Sequence, residues 1–408
     1  MNLSLFSTQL ITLLGSFLWA SEVIAFCGNS SKTFKPFKHP GLLHTSKDFE
    51  RIIGFVNAQK EPWTTGWNKL KSRANTAYAP DPKETVCRGG AGHECNPENY
   101  ASLYRDAHAA YTNAIAWKIT GNEAHANASA RILDAWSKSL VNINGPSDKF
   151  LASGIYGFQL ANAAEILRGW KAWGGLSAMA EMLQRVFYPM NHNFLVNHNG
   201  APVDVYWANW DLANMCTMQA IGILTDNRTM YKEAVDYFKN GAGNGAIEIA
   251  IWELLEEEVL GKTLGQGQEA GRDQGHALLD FALLGVFAQQ SYNQGDDLFS
   301  YLDNRILAGS EYAAKYNLGF DVPFTTFTNS MGTAVDIGEA GRGGLRPIWE
   351  LLYNHYGVIK GLNASWTEQM RDHVVEEAGG AEGGGGDYGT TSGGYDQLGF
   401  GTLLYRLE

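Results

Sequence analysis

The sequence predicts an all-α protein, an (α/α) toroid (an incomplete α/α barrel) built from antiparallel helix hairpins. Three observations carry that expectation. From Tyr100 onward, apolar residues recur at helical spacing in one segment after another. Gly, Asn or Pro turns separate the segments, and convincing period-two strand runs are scarce. Long helices joined by short connections pair as antiparallel hairpins, and a succession of such pairs closes into a ring rather than an open bundle.

Taken in order, the chain begins with MNLSLFSTQLITLLGSFLWASEVIAFC, an apolar stretch from Leu10 to Trp19 followed by a small-residue site at Val23-Ile24-Ala25. That pattern reads as a signal peptide over residues 1–25, because the run falls short of the roughly 20 apolar residues a spanning helix needs. The expectation is therefore an exported, extracellular protein with one domain over 26–408. Glycosylation sequons at Asn29, Asn127, Asn227 and Asn363 agree with export. Cys27, Cys87, Cys95 and Cys216 remain after cleavage, and Cys87 with Cys95 would close the loop CRGGAGHEC as a disulfide in an oxidising compartment. His93 between those thiols makes zinc the competing idea for that loop; no metal or other cofactor is expected.

The first long helix, ASLYRDAHAAYTNAIAWKITGN, places Leu103, Ala107, Ala110 and Ala114 on one face and stops at Gly121. EAHANASARILDAWSKSL follows it. Further helices are read in GFQLANAAEILRGWKAW, LSAMAEMLQRVFYPMNHNFL, WANWDLANMCTMQAIGILTD, NRTMYKEAVDYFKNG, HALLDFALLGVFAQQSYNQG, DLFSYLDNRILAGSEYAAKYN, LRPIWELLYNHYG and SWTEQMRDHVVEE. The Gly-rich run GGAEGGGGDYGTTSGGYDQLGFG carries Tyr388, Tyr395 and Phe400, which a flexible spacer would not need. It reads as an ordered loop lying near a substrate, since Gly lets backbone approach a ligand closely.

A net charge of −12 excludes general attraction to nucleic acid or to an anionic membrane. An enzyme with that charge acting on an acidic polymer has to concentrate Arg and His locally. Three runs carry candidate chemistry. In GQGQEAGRDQGH, Gln268, Glu269, Arg272 and His276 crowd a helix entrance, where one group can hold a carboxylate while another moves a proton. The alternative there is a structural network, with Asp273 as N-cap and Arg272 paired to Glu269. In VYWANWDLAN, Trp207 and Trp210 flank Asn209, a pattern that suits sugar faces on indoles and an amide on a polar substituent, or simply a packed core. In YLDNRILAGSEYAAKYN, Tyr312 and Tyr316 stand one helical turn apart as proton donors or packing residues, and Arg342 in EAGRGGLRP adds a cation.

Together WANWDLANM, GNGAIEIAI, GQGQEAGRDQGH, YNQGDDL, GSEYAAKYNLG, RPIWELLYNHYG and GGGGDYGTTSGGYDQLGFGTL resemble the alginate-lyase-like superfamily, and within it polysaccharide lyase family 38, which includes glucuronan and alginate lyases. The likeness runs from about His39 onward. It implies a toroid whose groove binds a polyuronate and eliminates across C4 and C5. By that resemblance Asn209 and Arg272 neutralise the substrate carboxylate, His276 is the base, and Tyr312 or Tyr316 protonates the leaving oxygen. From the runs themselves, Trp207, Trp210, Gln268, Glu269, Arg342 and Tyr388 are the expected substrate contacts. Two departures stand out. Better-known alginate lyases carry an Asn-His pair where this chain has Asn209-Trp210, and a Tyr two turns after the Arg where it has Leu279. The expected partner is thus an acidic polysaccharide, bound by a monomer, with neither nucleic acid nor membrane involved. The alternatives are a toroid glycoside hydrolase using Glu269 with Asp204 or Asp211, and a non-catalytic glycan-binding protein.

Overall fold

The computed structural model describes residues 35–90, 92–257 and 261–408; the segment read as a signal peptide, Cys27 and the Asn29 sequon lie outside them. Within the unit Phe37–Glu408, helices α1 (Ser46–Asn57) and α2 (Trp63–Arg73) precede α3 (Tyr100–Thr120) and its antiparallel partner α4 (Glu123–Ser139). Helix α5 (Asp148–Leu167) follows, then α6 (Leu176–Met182), which runs through a π turn at 183–187 into α7 (Tyr188–Asn197). Next come α8 (Ala208–Leu224), α9 (Arg228–Asn240) and the single turn α10 (Ile247–Ala250). After the hairpin described below lie α11 (Gln274–Gln294), α12 (Tyr301–Asn317), α13 (Trp349–Tyr353), α14 (Ser365–Glu377) and α15 (Gly401–Leu404). The all-α toroid is what the sequence predicts.

Helices α3, α5, α8 and α11 form the inner wall and run parallel to one another. Thr217 Oγ1 donates to the Gly154 carbonyl, and Cys216 Sγ and Gln219 Nε2 donate to the Leu283 and Phe287 carbonyls, so register advances in the same sense across the helices. Small residues allow that approach: a Cβ on Gly154 would lie 2.8 Å from the Ala213 backbone. Their shared direction gathers several helix N-termini at one end of the ring, and N-termini carry partial positive charge.

The sequence reading misses several features, among them two short strand pairs, Thr85–Cys87 with Asn142–Asn144 and Phe327–Asn329 with Gly332–Ala334. Helices α1 and α2 precede the first segment it recognises. Helix α5 extends back from Gly157 to Asp148, and because it is buried along nearly its whole length it shows no polar face to mark its start. The run IWELLEE and the run KTLGQG pair as an antiparallel hairpin, Ile251–Glu257 with Lys262–Gly267. That hairpin packs on α12 and delivers Gln268 and Glu269 to the start of α8.

Cys87 and Cys95 are disulfide-bonded, and Cys216 is a buried free thiol. Asn127 and Asn363 are exposed, whereas Asn227 caps α9 by accepting from the backbone N–H groups of Thr229 and Met230. Among the described residues no helix is long and apolar enough to cross a membrane.

Candidate active site

The first turn of α8 lacks a side-chain cap of its own, since Trp207 stands at its N-cap. Two orphan donors are satisfied from the hairpin instead. Gln268 Oε1 accepts Ala208 N–H at 3.0 Å, and Glu269 Oε1 accepts Asn209 N–H at 2.9 Å together with the Asn209 side-chain amide. The second Glu269 oxygen takes Arg272 Nη1 at 2.8 Å. One fully buried carboxylate therefore ties α8 to the turn before α11.

Arg272 lies in that turn rather than on the helix. Its backbone is fixed by Arg272 N–H to the Glu269 carbonyl, and by a strand of backbone at Gly338 that packs directly on it; a Cβ at Gly338 would sit 2.7 Å from the Arg272 carbonyl. The guanidinium lies 5.0 Å over the Trp207 ring and 3.3 Å, through Nη2, from His276 Nε2. Asp273 caps α11: Oδ1 accepts His276 N–H at 2.9 Å and Oδ2 accepts His276 Nδ1–H at 2.7 Å. Burial would raise the Asp273 carboxyl, but hydrogen bonds from His276 and the nearby Arg272 charge win and hold it below the usual carboxylate value. The imidazole is 41% exposed. The structural network weighed from the sequence is thus present, and the same groups leave a cation and an aimed imidazole at the solvent edge.

More positive charge converges here than the sequence reading found. Asp396, in the Gly-rich loop, is buried and faces Arg346, Arg88 and His276; burial pushes its carboxyl up against the pull of those cations. Arg346 Nη1 lies 3.4 Å from Asp396 and 3.0 Å from Gln397 Oε1. Arg88, beside the disulfide, lies 4.9 Å over the Tyr100 ring and reaches Tyr156 Oη at 3.4 Å. Tyr395 packs 4.6 Å from Tyr104, and its carbonyl accepts from His108 Nε2 and Gln159 Nε2. The Gly-rich loop is ordered and lies beside His276. Gly385 has no room for a side chain, because a Cβ there would overlap the His108 ring.

Other sequence candidates take structural places. Asn209 is wholly buried, with its Oδ1 unpaired. Trp210 stacks on Phe194 and packs at a tilt against Tyr206. Tyr312 is buried against Leu264 and Ala270, and Tyr316 is buried beneath Arg342, whose guanidinium lies 3.9 Å over its ring; neither hydroxyl has a partner. Arg342 donates to the Tyr316 and Phe320 carbonyls, closing the end of α12. Tyr388 Oη accepts Gly383 N–H inside the Gly-rich loop. Asp211 is buried against Tyr237 and Gly245, and Asp204 is tied to Ser330, so neither forms with Glu269 a carboxyl pair flanking an open cleft.

Solved structures share this architecture at low sequence identity. An alginate lyase from Bacteroides ovatus matches with a TM-score of 0.60 and 12% identity, covering 91% of this chain and 100% of that one. Alginate lyase A1-III from Sphingomonas species A1 matches at 0.53 and 14% over 78% of this chain and 89% of that one. A histidine variant of A1-III complexed with tetrasaccharide matches at 0.57 and 14%, over 88% and 94%. No curated protein sequence matches. The sequence model of the family described as alginate lyase matches residues 58–318, which include the α8 entrance, Glu269, Arg272 and His276. The chain belongs to the alginate lyase family.

Proposed function

We propose that the protein is a secreted polysaccharide lyase, its catalytic domain spanning 26–408, that cleaves a 1,4-linked polyuronate, glucuronan or alginate, by β-elimination. The observation that carries this reading is the Asp273–His276–Arg272 arrangement, an imidazole fixed through Nδ1 with a guanidinium 3.3 Å from Nε2. Family membership and neighbours named as alginate lyases, one with a bound tetrasaccharide, support the substrate class.

The chemistry follows from the geometry. A proton α to an ionised carboxylate is weakly acidic, because its loss places a second negative charge on the same group. Arg272 draws the C5 carboxylate to the rim and stabilises that charge as it develops, which is where large electrostatic rate gains arise. Engaging the substrate turns the guanidinium away from Nε2 and frees the imidazole lone pair. His276 then takes the C5 proton, the C4–O4 bond breaks, and a C4–C5 double bond forms. Asp273 holds the neutral tautomer beforehand and stabilises the imidazolium afterwards. The departing O4 takes a proton from a rim phenol, Tyr100 or Tyr395, both partly exposed beside the cations. Trp207, under Arg272, offers an indole face to a sugar ring.

The test is ultraviolet absorbance during incubation with glucuronan, polymannuronate and polyguluronate, alongside His276→Ala and Arg272→Ala. A signal that rises on one polymer and vanishes in both variants establishes elimination and names the substrate. Flat traces with falling viscosity mean hydrolysis, and flat traces with constant viscosity mean a binding protein; either overturns the reading.

A further inference from the structure

We infer that Asp280 carries a proton and donates it to Glu269, so that two buried carboxyls act as one singly charged clamp on Asn209 and Arg272. Asp280 lies one helical turn beyond His276 on α11 and is 1% exposed. Neither of its oxygens receives a hydrogen bond from any N–H or O–H donor among the described residues. The polar group it does meet is Glu269, within hydrogen-bond reach and itself fully buried.

Two carboxylates in contact and away from water cannot both stay ionised. The surroundings decide which of them holds the proton. Glu269 accepts from Asn209 N, Asn209 Nδ2 and Arg272 Nη1, so both of its oxygens are already engaged as acceptors. Asp280 has no such donors, and burial first, then the Glu269 charge, pushes its carboxyl well above the usual range. The charged groups facing Asp280 are Glu269, Arg272 and Asp273; α8 contributes the uncharged Asn209 amide. An O–H directed at Glu269 fixes the carboxylate that in turn fixes Arg272. Were the pair to lose its proton, a second negative charge would lie beneath the guanidinium and compete with the substrate carboxylate for it. Asp280 is thus a positioning residue, and its effect on rate rests on the elimination proposed above.

The experiment pairs infrared difference spectroscopy with kinetics on the full-length protein. The wild-type-minus-Asp280→Asn difference spectrum should show the C=O stretch of a protonated carboxylic acid at neutral pH; buried Glu382, whose carboxyl is pushed up to about 8, is common to both proteins and cancels. Asparagine still donates to Glu269, so its activity should stay within about threefold of wild type near neutral pH, while the alkaline loss of activity caused by the pair ionising should disappear. Asp280→Ala, checked for folding by circular dichroism, should lose roughly 10- to 100-fold in kcat/KM as Arg272 shifts. A difference spectrum without that acid band overturns the inference. So does an Asp280→Asn protein as impaired as Asp280→Ala with the wild-type pH profile. Should no polymer be cleaved at all, the elimination reading fails while the infrared band still reports on the clamp.

Discussion

Asp273 meets His276 twice, through Oδ1 to the backbone N–H at 2.9 Å and through Oδ2 to Nδ1 at 2.7 Å. Helix capping and imidazole orientation therefore belong to one side chain, and they can be separated. Asp273→Asn keeps an oxygen for the cap but turns an amide N–H toward Nδ1, forcing the ring proton onto Nε2, where the base lone pair has to be. We expect kcat to fall by about 10³-fold or more, with thermal stability nearly unchanged. Asp273→Ala should match that loss and add about 1 kcal/mol of destabilisation from the missing cap. Ultraviolet kinetics and thermal melts on the two variants measure both effects.

The fold was legible in the sequence because its helices on the outside of the ring keep a polar face, as α9 and α4 do, and period is readable where one face is wet. Helices α5, α8 and α11 are buried almost all round, so their extents had to come from turns and caps instead. Around the site, the local cluster was legible: Glu269, Arg272, Asp273 and His276 lie within eight residues of one another. Arg88, Arg346 and Asp396 were not, because they come from distant loops and meet at Asp396, which in turn faces His276. The Arg in CRGGAGHEC and the Asp in GGYDQLGF were visible as charges among glycines, but nothing local says what they face. Tyr312 and Tyr316 have correct spacing on a correct helix; their face turns out to be the one packed on the hairpin and beneath Arg342.

Arg272 acts through shape as well as charge. Its fork divides between Glu269 and His276 while its plane lies over Trp207. Lysine keeps one positive charge and loses both the fork and the stacking. Arg272→Lys should reduce kcat/KM by roughly 10²-fold, with the larger part in kcat, because the lost contact is the one that strengthens as charge develops. A change confined to KM would show that Arg272 binds ground state and transition state alike.

The two buried phenols of α12 give a sharp negative prediction. The Tyr312 hydroxyl is buried with no partner, and burial raises its pKa far out of the range of a working acid. Tyr312→Phe should retain activity within about twofold and gain up to about 1 kcal/mol of stability, since an unsatisfied hydroxyl is removed. Tyr100→Phe or Tyr395→Phe should lower kcat instead, and the one that does so names the donor to O4. A large kcat loss in Tyr312→Phe would return the phenol role to α12.

Reducing the Cys87–Cys95 disulfide releases a short loop that carries Arg88. Loop-closure entropy for a loop of this size predicts about 2–3 kcal/mol of lost stability. Arg88 would also lose its fixed place over Tyr100 and beside Asp396. The Cys87→Ser/Cys95→Ser protein should therefore show a raised KM that low ionic strength partly restores, because the missing contribution is a screened charge. Unchanged KM alongside a lower melting temperature would confine the disulfide to a structural role.

Stability should also respond to pH at a site remote from the chemistry. His39 Nδ1 lies 2.6 Å from Glu165 and Nε2 lies 3.2 Å from Asp226. The hydrogen bond to buried Glu165, outweighing burial, raises the imidazole pKa above its ordinary value. A group whose folded-state pKa is raised contributes stability that is fully present below the unfolded value, about 6.5, and is lost as pH climbs through the folded value. The ring is partly solvated, so the contribution should stay below about 1 kcal/mol. His39→Gln should accordingly melt lower than wild type at about pH 6 and approach it at about pH 9. Melting curves at the two pH values decide it: a gap that stays constant means that His39 acts by packing, and a gap that widens with pH means that the ring is stabilising in its neutral form.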